Sequence, residues 1–174
     1  MKVSAQGFTL LELLIVVSII AVMSGAILPA FSQYIDNQGS RQAQEQVKSD
    51  LRTTQNRALT GSAADQFIGT DPVLFWGLAF TNDSPTYSYF ISTGNATDDC
   101  SEEVKGSYTL PENFVFKHGG CVFFSMEDGD YNGISIGSSN RVIVGLSGSN
   151  TNCKSVVLNP AGLIQNYTTN SNCN

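Results

Sequence analysis

The chain has 174 residues, 41% of them hydrophobic, and a formal charge of −6, which suits one globular domain beside any membrane segment. After Gly61 only Lys105, Lys117, Arg141 and Lys154 are basic, against eleven acidic residues, a formal charge of −7. Phosphate contacts dominate nucleic-acid affinity and need clustered Lys and Arg, so this composition argues against a nucleic-acid partner.

The N-terminus reads Gly7-Phe8-Thr9-Leu10-Leu11-Glu12 and runs on into an apolar stretch that ends at Phe31. From Phe8 to Phe31 the only charge is Glu12, and a helix over these residues rises roughly 36 Å, enough to cross the hydrocarbon core of a bilayer. A carboxylate in such a helix is costly and implies a partner. Cleavage after Gly7 supplies one, because it frees an α-amine on Phe8, one turn from Glu12, that is largely protonated near neutral pH. The same cut discards residues 1–7, whose only charge is Lys2. An ordinary secretory signal has a shorter apolar core followed by an A-x-A-like site. Here the small residue precedes the core, and no cysteine stands near Gly7 to mark a lipoprotein anchor.

Gly7-Phe8-Thr9-Leu10-Leu11-Glu12-Leu13-Leu14-Ile15-Val16-Val17 resembles the prepilin processing motif of type IV pilins and type II secretion pseudopilins. The resemblance implies a membrane prepilin peptidase that cuts between Gly7 and Phe8 and N-methylates Phe8. It also implies that Glu12 pairs with the N-terminal amine of a neighbouring subunit in the filament. The expected life history is storage as a single-pass protein in the lipid of the cytoplasmic membrane, with an extracytoplasmic head, followed by assembly with other pilin or pseudopilin subunits.

Past Phe31 the helix is expected to continue to Thr60, with Phe31, Tyr34, Ile35, Val47, Leu51, Ala58 and Leu59 along one stripe. Pro29 cannot donate to residue 25, where Gly25 stands, so a loosened turn is expected between them. Gly39-Ser40 reads as a weak spot and Gly61 as the stop. The division is then a leader at 1–7, a membrane or filament-core helix at 8–31, an amphipathic second half at 32–61 and a β-rich exterior head at 62–174.

The head alternates short runs of Val, Ile, Phe and Tyr with Gly, Asn, Asp, Ser and Pro. This pattern predicts strands at Val73–Thr81, Thr86–Ser92, Val104–Leu110, Asn113–Lys117, Cys121–Ser125, Gly133–Gly137, Arg141–Leu146, Ser155–Leu158 and Leu163–Tyr167. The fold class is α+β, a long N-terminal helix packed on a small antiparallel β-sandwich. The order of these segments resembles, more weakly, the GspH/FimT-like minor pseudopilins.

Four cysteines, Cys100, Cys121, Cys153 and Cys173, lie beyond the anchor, an even number in an oxidising compartment, which favours two disulfides. Of the three connectivities, Cys100–Cys121 and Cys153–Cys173 close the short local loops. Zinc is disfavoured because no C-x-x-C occurs and the only histidine is His118. His118 has the flanks of a solvated turn.

Asp128-Gly129-Asp130-Tyr131-Asn132-Gly133 reproduces the first six positions of a calcium loop, with Asp128, Asp130 and Asn132 as candidate ligands. Ser139 stands where the bidentate Glu belongs, so a polar hairpin turn is the preferred reading, and no cofactor is expected beyond that calcium candidate. The acidic run from Asp98 to Glu103 reads as a solvated loop tied by Cys100, and Trp76, Phe75 and Phe80 as core. Asn82, Asn95 and Asn166 head short glycosylation-like triplets that arise readily by chance. No constellation of nucleophile, base, paired carboxylates or metal points to an enzyme. The chain therefore reads as a filament subunit, a minor pilin or pseudopilin. The alternative is a filament-displayed binding module for DNA uptake or adhesion, but the tail Asn166–Asn174 carries no basic residue.

Overall fold

The computed structural model describes residues 8–94, 100, 102–134, 140–150, 153–159, 162–168 and 173, without the side chains of 26–30, 33, 132–134 and 168. The chain divides into two compact units, Met1–Asn37 and Gln38–Asn174. A single helix, α1 (Leu10–Leu59), runs through both.

Both ends of α1 are set by local chemistry. At the start the Glu12 N–H lies 3.3 Å from the Thr9 hydroxyl and 3.1 Å from the Thr9 carbonyl, so Thr9 is the N-cap and Phe8 stays outside the helix. At the end Gly61 takes φ +60. Its N–H reaches the Ala58 carbonyl at 2.9 Å while the Ser62 N–H reaches Arg57 at 3.2 Å, the paired bonds of a Schellman stop, which needs a residue without a Cβ penalty there. The loosened turn expected between Gly25 and Pro29 falls where most side chains lie outside the described set, and the helix is continuous there.

In the second unit α1 buries Ala43, Val47, Leu51 and Ala58 completely, with Ser40, Gln44 and Thr54 beside them. Steps of three and four residues keep these on one face. The expected stripe is corrected at both ends: Phe31, Tyr34, Ile35 and Leu59 are about half exposed or more. The first three precede Gln38, where the second unit starts, and Leu59 stands about 100° around the helix from buried Ala58.

Among the described residues eleven strands follow, β1 (Phe67–Ile68), β2 (Asp71–Pro72), β3 (Phe75–Phe80), β4 (Thr86–Ser92), β5 (Glu103–Thr109), β6 (Phe114–Phe116), β7 (Gly120–Ser125), β8 (Tyr131–Ile134), β9 (Arg141–Leu146), β10 (Lys154–Leu158) and β11 (Ile164–Thr168). They form a β1-β2 hairpin, a five-stranded sheet in the order β5-β4-β3-β7-β8 and a four-stranded sheet in the order β11-β10-β9-β6. Every pairing is antiparallel. One core joins α1 to both sheets, with Trp76, Leu78, Tyr87, Ile91, Val122 and Phe124 from the larger and Phe116, Val142, Val144, Val156 and Leu158 from the smaller.

Gly39 is the seat of this core and no weak spot. A Cβ at Gly39 would lie 2.6 Å from Cε2 of Phe114, so the missing side chain lets the ring at the head of β6 rest directly on the helix. Gly77 does the same for Phe90 within the larger sheet.

Helix side chains also bond the backbone of β10, of β11 and of the turn before β11. Gln44 donates to the carbonyls of Ser155 (2.6 Å) and Tyr167 (3.2 Å), Arg52 to Ile164 (3.4 Å) and Gln55 to Gly162 (3.0 Å).

Candidate functional site

The described part of the first unit is an apolar helix whose side chains are exposed. Every large apolar side chain from Phe8 to Met23 is between 48% and 84% exposed. The Ser18 hydroxyl is turned back onto the Leu14 carbonyl at 2.7 Å, which satisfies it inside the helix. Glu12 is exposed, and the described ion pairs, Lys48–Glu45 and Lys105–Glu103, leave it without a cation. Gly7, the residue before the expected cleavage point, lies outside the described residues, whereas Phe8 and Thr9 stand just ahead of the helix. Among the described residues no helix is long and apolar enough to cross a membrane. Within the apolar stretch the side chains of 26–30 lie outside the described set.

Thr9 carries a role that the sequence reading passed over. Thr9-Leu10-Leu11-Glu12 is a capping-box spacing, and the Thr9 hydroxyl makes its half of that box to the Glu12 N–H. The signal was available in the four-residue spacing.

In the second unit the cysteines pair as Cys100–Cys121 and Cys153–Cys173, each with Cα atoms 5.5 Å apart. Each bridge lies on the outer face of one sheet. Cys100 and Cys121 pack with Phe90 and Phe123 behind the larger sheet, and Cys153 and Cys173 cover Ile143 behind the smaller. The second bridge rests on Gly145, where any Cβ would collide with the Cys153 sulfur.

Of the acidic run, Asp98, Asp99 and Ser101 lie outside the described residues. Glu102 is anchored rather than solvated, accepting from the Thr93 N–H at 2.8 Å and its hydroxyl at 3.0 Å. His118 is also more engaged than its turn setting suggests: half-buried, its Nε2 sits 3.1 Å from the Cys173 carbonyl and so helps hold the C-terminal strap.

Asp128 and Asp130 belong to the turn between β7 and β8, while Asn132 is already in β8 opposite Phe123. The Asp128 carboxylate accepts the Asp130 N–H at 3.0 Å. That bond, with help from the Ser125 hydroxyl, holds the Asp128 carboxyl below the usual carboxylate range. The geometry is that of a hairpin turn closed by its own aspartate. Among the described residues no three of His, Cys, Asp and Glu gather in a metal-holding group.

Trp76 lies in the core, as expected, with the Arg57 guanidinium 5.4 Å from its ring centre and 4.7 Å from that of Tyr89. A clasp that sequence alone did not reveal joins α1 to β4. The Tyr87 hydroxyl donates to the Asp50 carboxylate, and Gln46 donates to the Tyr87 oxygen at 3.1 Å and to the Thr109 carbonyl at 2.9 Å. Burial, the largest cause, raises the Asp50 pKa against the lowering effect of that bond. Tyr87 is raised by burial and by the same carboxylate.

Compared with known proteins, the chain matches the prokaryotic N-terminal methylation motif over residues 3–28. That motif is the prepilin-type signal of type IV pilins and pseudopilins. Among curated proteins and among solved structures nothing matches it.

Proposed function

We propose that the chain is a minor pilin or pseudopilin that a prepilin peptidase cuts after Gly7 and methylates on the Phe8 amine. The observation that carries this reading is the exposed apolar surface from Phe8 to Met23 within the methylation motif, interrupted only by Glu12 among charged residues. Before assembly that surface is held in the lipid of the cytoplasmic membrane, the sequence remaining free of charge from Leu13 to Phe31. Lipid is as apolar as the helix, so leaving it for a filament gains nothing from hydrophobic burial as such. Close packing among the helices of neighbouring subunits must replace the lipid contacts. The pairing of Glu12 with the Phe8 amine of the next subunit then sets the register, because a carboxylate in a water-free core is tolerated only with a partner.

Intact mass of protein purified from sheared filaments tests the reading. The expected species begins at Phe8 and carries one added methyl group. Assembled protein that retains residues 1–7 would overturn it.

A further inference from the structure

The two bridges close loops of similar length, with sequence separations of 21 and 20, but their surroundings differ. Cys100 and Cys121 pack with the rings of Phe75, Phe90 and Phe123, an apolar setting that disfavours a thiolate. Cys121 is also fixed within β7, opposite Ala79 of β3 on one side and Ile134 of β8 on the other. Cys100 is followed closely by Glu102, which is anchored to Thr93.

At the second bridge a cation stands where the first has rings. A Cβ placed on Gly145 would lie 2.4 Å from the Cys153 sulfur, 3.0 Å from Cε of Lys117 and 3.6 Å from the Cys173 sulfur. These atoms crowd one point, so the Lys117 stem lies against the bridge. Its ammonium, one bond beyond Cε, donates to the Leu146 carbonyl at 2.8 Å and belongs to neither described ion pair. Positive charge beside a sulfur lowers its thiol pKa, and in exchange the sulfur with the lower thiol pKa leaves faster. Cys153, the sulfur nearer that point, adjoins the start of β10. Cys173 is fixed more lightly. Among the described residues its backbone is held by its N–H on the Asn150 carbonyl at 3.3 Å and by the His118 contact to its own carbonyl. Both cysteines are buried, so a thiol reaches the bridge only when the strap lifts. A segment held by single bonds opens at lower cost than a strand paired on both sides.

We propose that Cys153–Cys173 is an exchange-active bridge, the site at which a dithiol of the thiol–disulfide oxidoreductase class acts on this chain. The attacking thiolate bonds to the Cys173 sulfur, the S–S bond breaks, and its electron pair leaves on Cys153 as a thiolate beside Lys117. The partner's second thiol then attacks its own sulfur in the mixed disulfide, and Cys173 leaves. The partner dithiol is oxidised to a disulfide, while Cys153 and Cys173 are reduced and take up its two protons. Opening uncovers Ile143 behind the smaller sheet, and Cys100–Cys121 stays closed. None of this chemistry depends on the filament reading.

The test uses the full-length oxidised chain in detergent at pH 8 with an excess of reduced glutathione, a monothiol. Samples are quenched with acid at early times, labelled with a maleimide and mapped as peptides. The expected first product carries glutathione on Cys173 and maleimide on Cys153, and it forms about tenfold faster than any adduct at Cys100 or Cys121. A first adduct on Cys153, earlier attack on the other bridge, or no adduct at all overturns the proposal. Lys117→Met should slow the reaction about fivefold, and Lys117→Arg, which keeps the cation, should restore it to within about twofold. A Lys117 that served only as a brace would give the reverse, because losing its bond to the Leu146 carbonyl would loosen the strap and speed exchange. An unchanged or faster Lys117→Met protein therefore overturns the leaving-group assignment.

Discussion

Asp50 and Glu12 are two carboxylates in one helix with opposite settings. Asp50 is clasped by the Tyr87 hydroxyl, yet burial wins and its pKa is raised from the ordinary 3.8. The folded protein therefore binds a proton at Asp50 more readily than the unfolded chain. Stability contributed by that proton is present below the unfolded value and is lost as pH rises through the folded one. Asp50→Asn keeps an oxygen for Tyr87 and removes the charge, so the midpoint of thermal unfolding near neutral pH should be unchanged or higher. The decline that Asp50 causes from about pH 4 upward should disappear. A lower midpoint at neutral pH would show that the ionised carboxylate is a net stabiliser. Asp128 has the reverse sign, its pKa being lowered, so its contribution is lost as pH falls through the folded value. For Glu12 the matter is its neighbour. Glu12→Ala favours membrane insertion by about 2.5–3.5 kcal/mol if the site is deep and less near the interface. The variant should therefore insert normally but be depleted from sheared filaments, and wild-type incorporation would remove the pairing role.

Among the elements, legibility followed how local the cause was. The strands Thr86–Ser92 and Arg141–Leu146 were readable to the residue because alternation and flanking turns both mark them, with Asp83 (φ 54) and Asn140 (φ 49) supplying left-handed turn positions. The strand expected from Gly133 starts two residues earlier, as β8 from Tyr131, because pairing with β7 already begins at Tyr131 opposite Phe124, and residues 135–137 of that expectation lie outside the described set. The β1-β2 hairpin is too short to leave a periodic trace. Neither the β3–β7 nor the β6–β9 pairing could be read, since each joins strands that are not consecutive and is decided by the shared core. The role of Gly39 was hidden for the same reason, as its meaning lies in Phe114, far along the chain. Gly39→Ala gains up to about 1 kcal/mol of helix propensity but forces a methyl group into a ring only 5% exposed, and overpacking of that kind costs about 1–3 kcal/mol. The net expectation is a loss of about 1 kcal/mol, seen as a lower urea midpoint at unchanged slope. A stabilised Gly39→Ala protein would show that Phe114 has room to move.

For the whole molecule, the two disulfides strap separate outer faces, one behind each sheet, and share no side-chain cluster. They close loops with sequence separations of 21 and 20, which in the chain-entropy model is worth about 3 kcal/mol each. Sites on opposite faces with no common partner should add to within about 0.5 kcal/mol. Replacing Cys100 and Cys121 by Ser, or Cys153 and Cys173 by Ser, should then lower stability by similar amounts, and replacing all four by roughly the sum, about 6 kcal/mol. That sum is comparable to the whole stability of many domains, about 5–15 kcal/mol, so the four-serine chain should be marginal, while either single-bridge protein remains folded. Urea unfolding of the four oxidised or substituted forms measures this directly. A cost for the second bridge that depends strongly on the first would mean that the straps communicate through the core. Independent costs would mean that each sheet is fastened on its own, the Cys153–Cys173 strap with the help of the His118 contact to the Cys173 carbonyl at 3.1 Å.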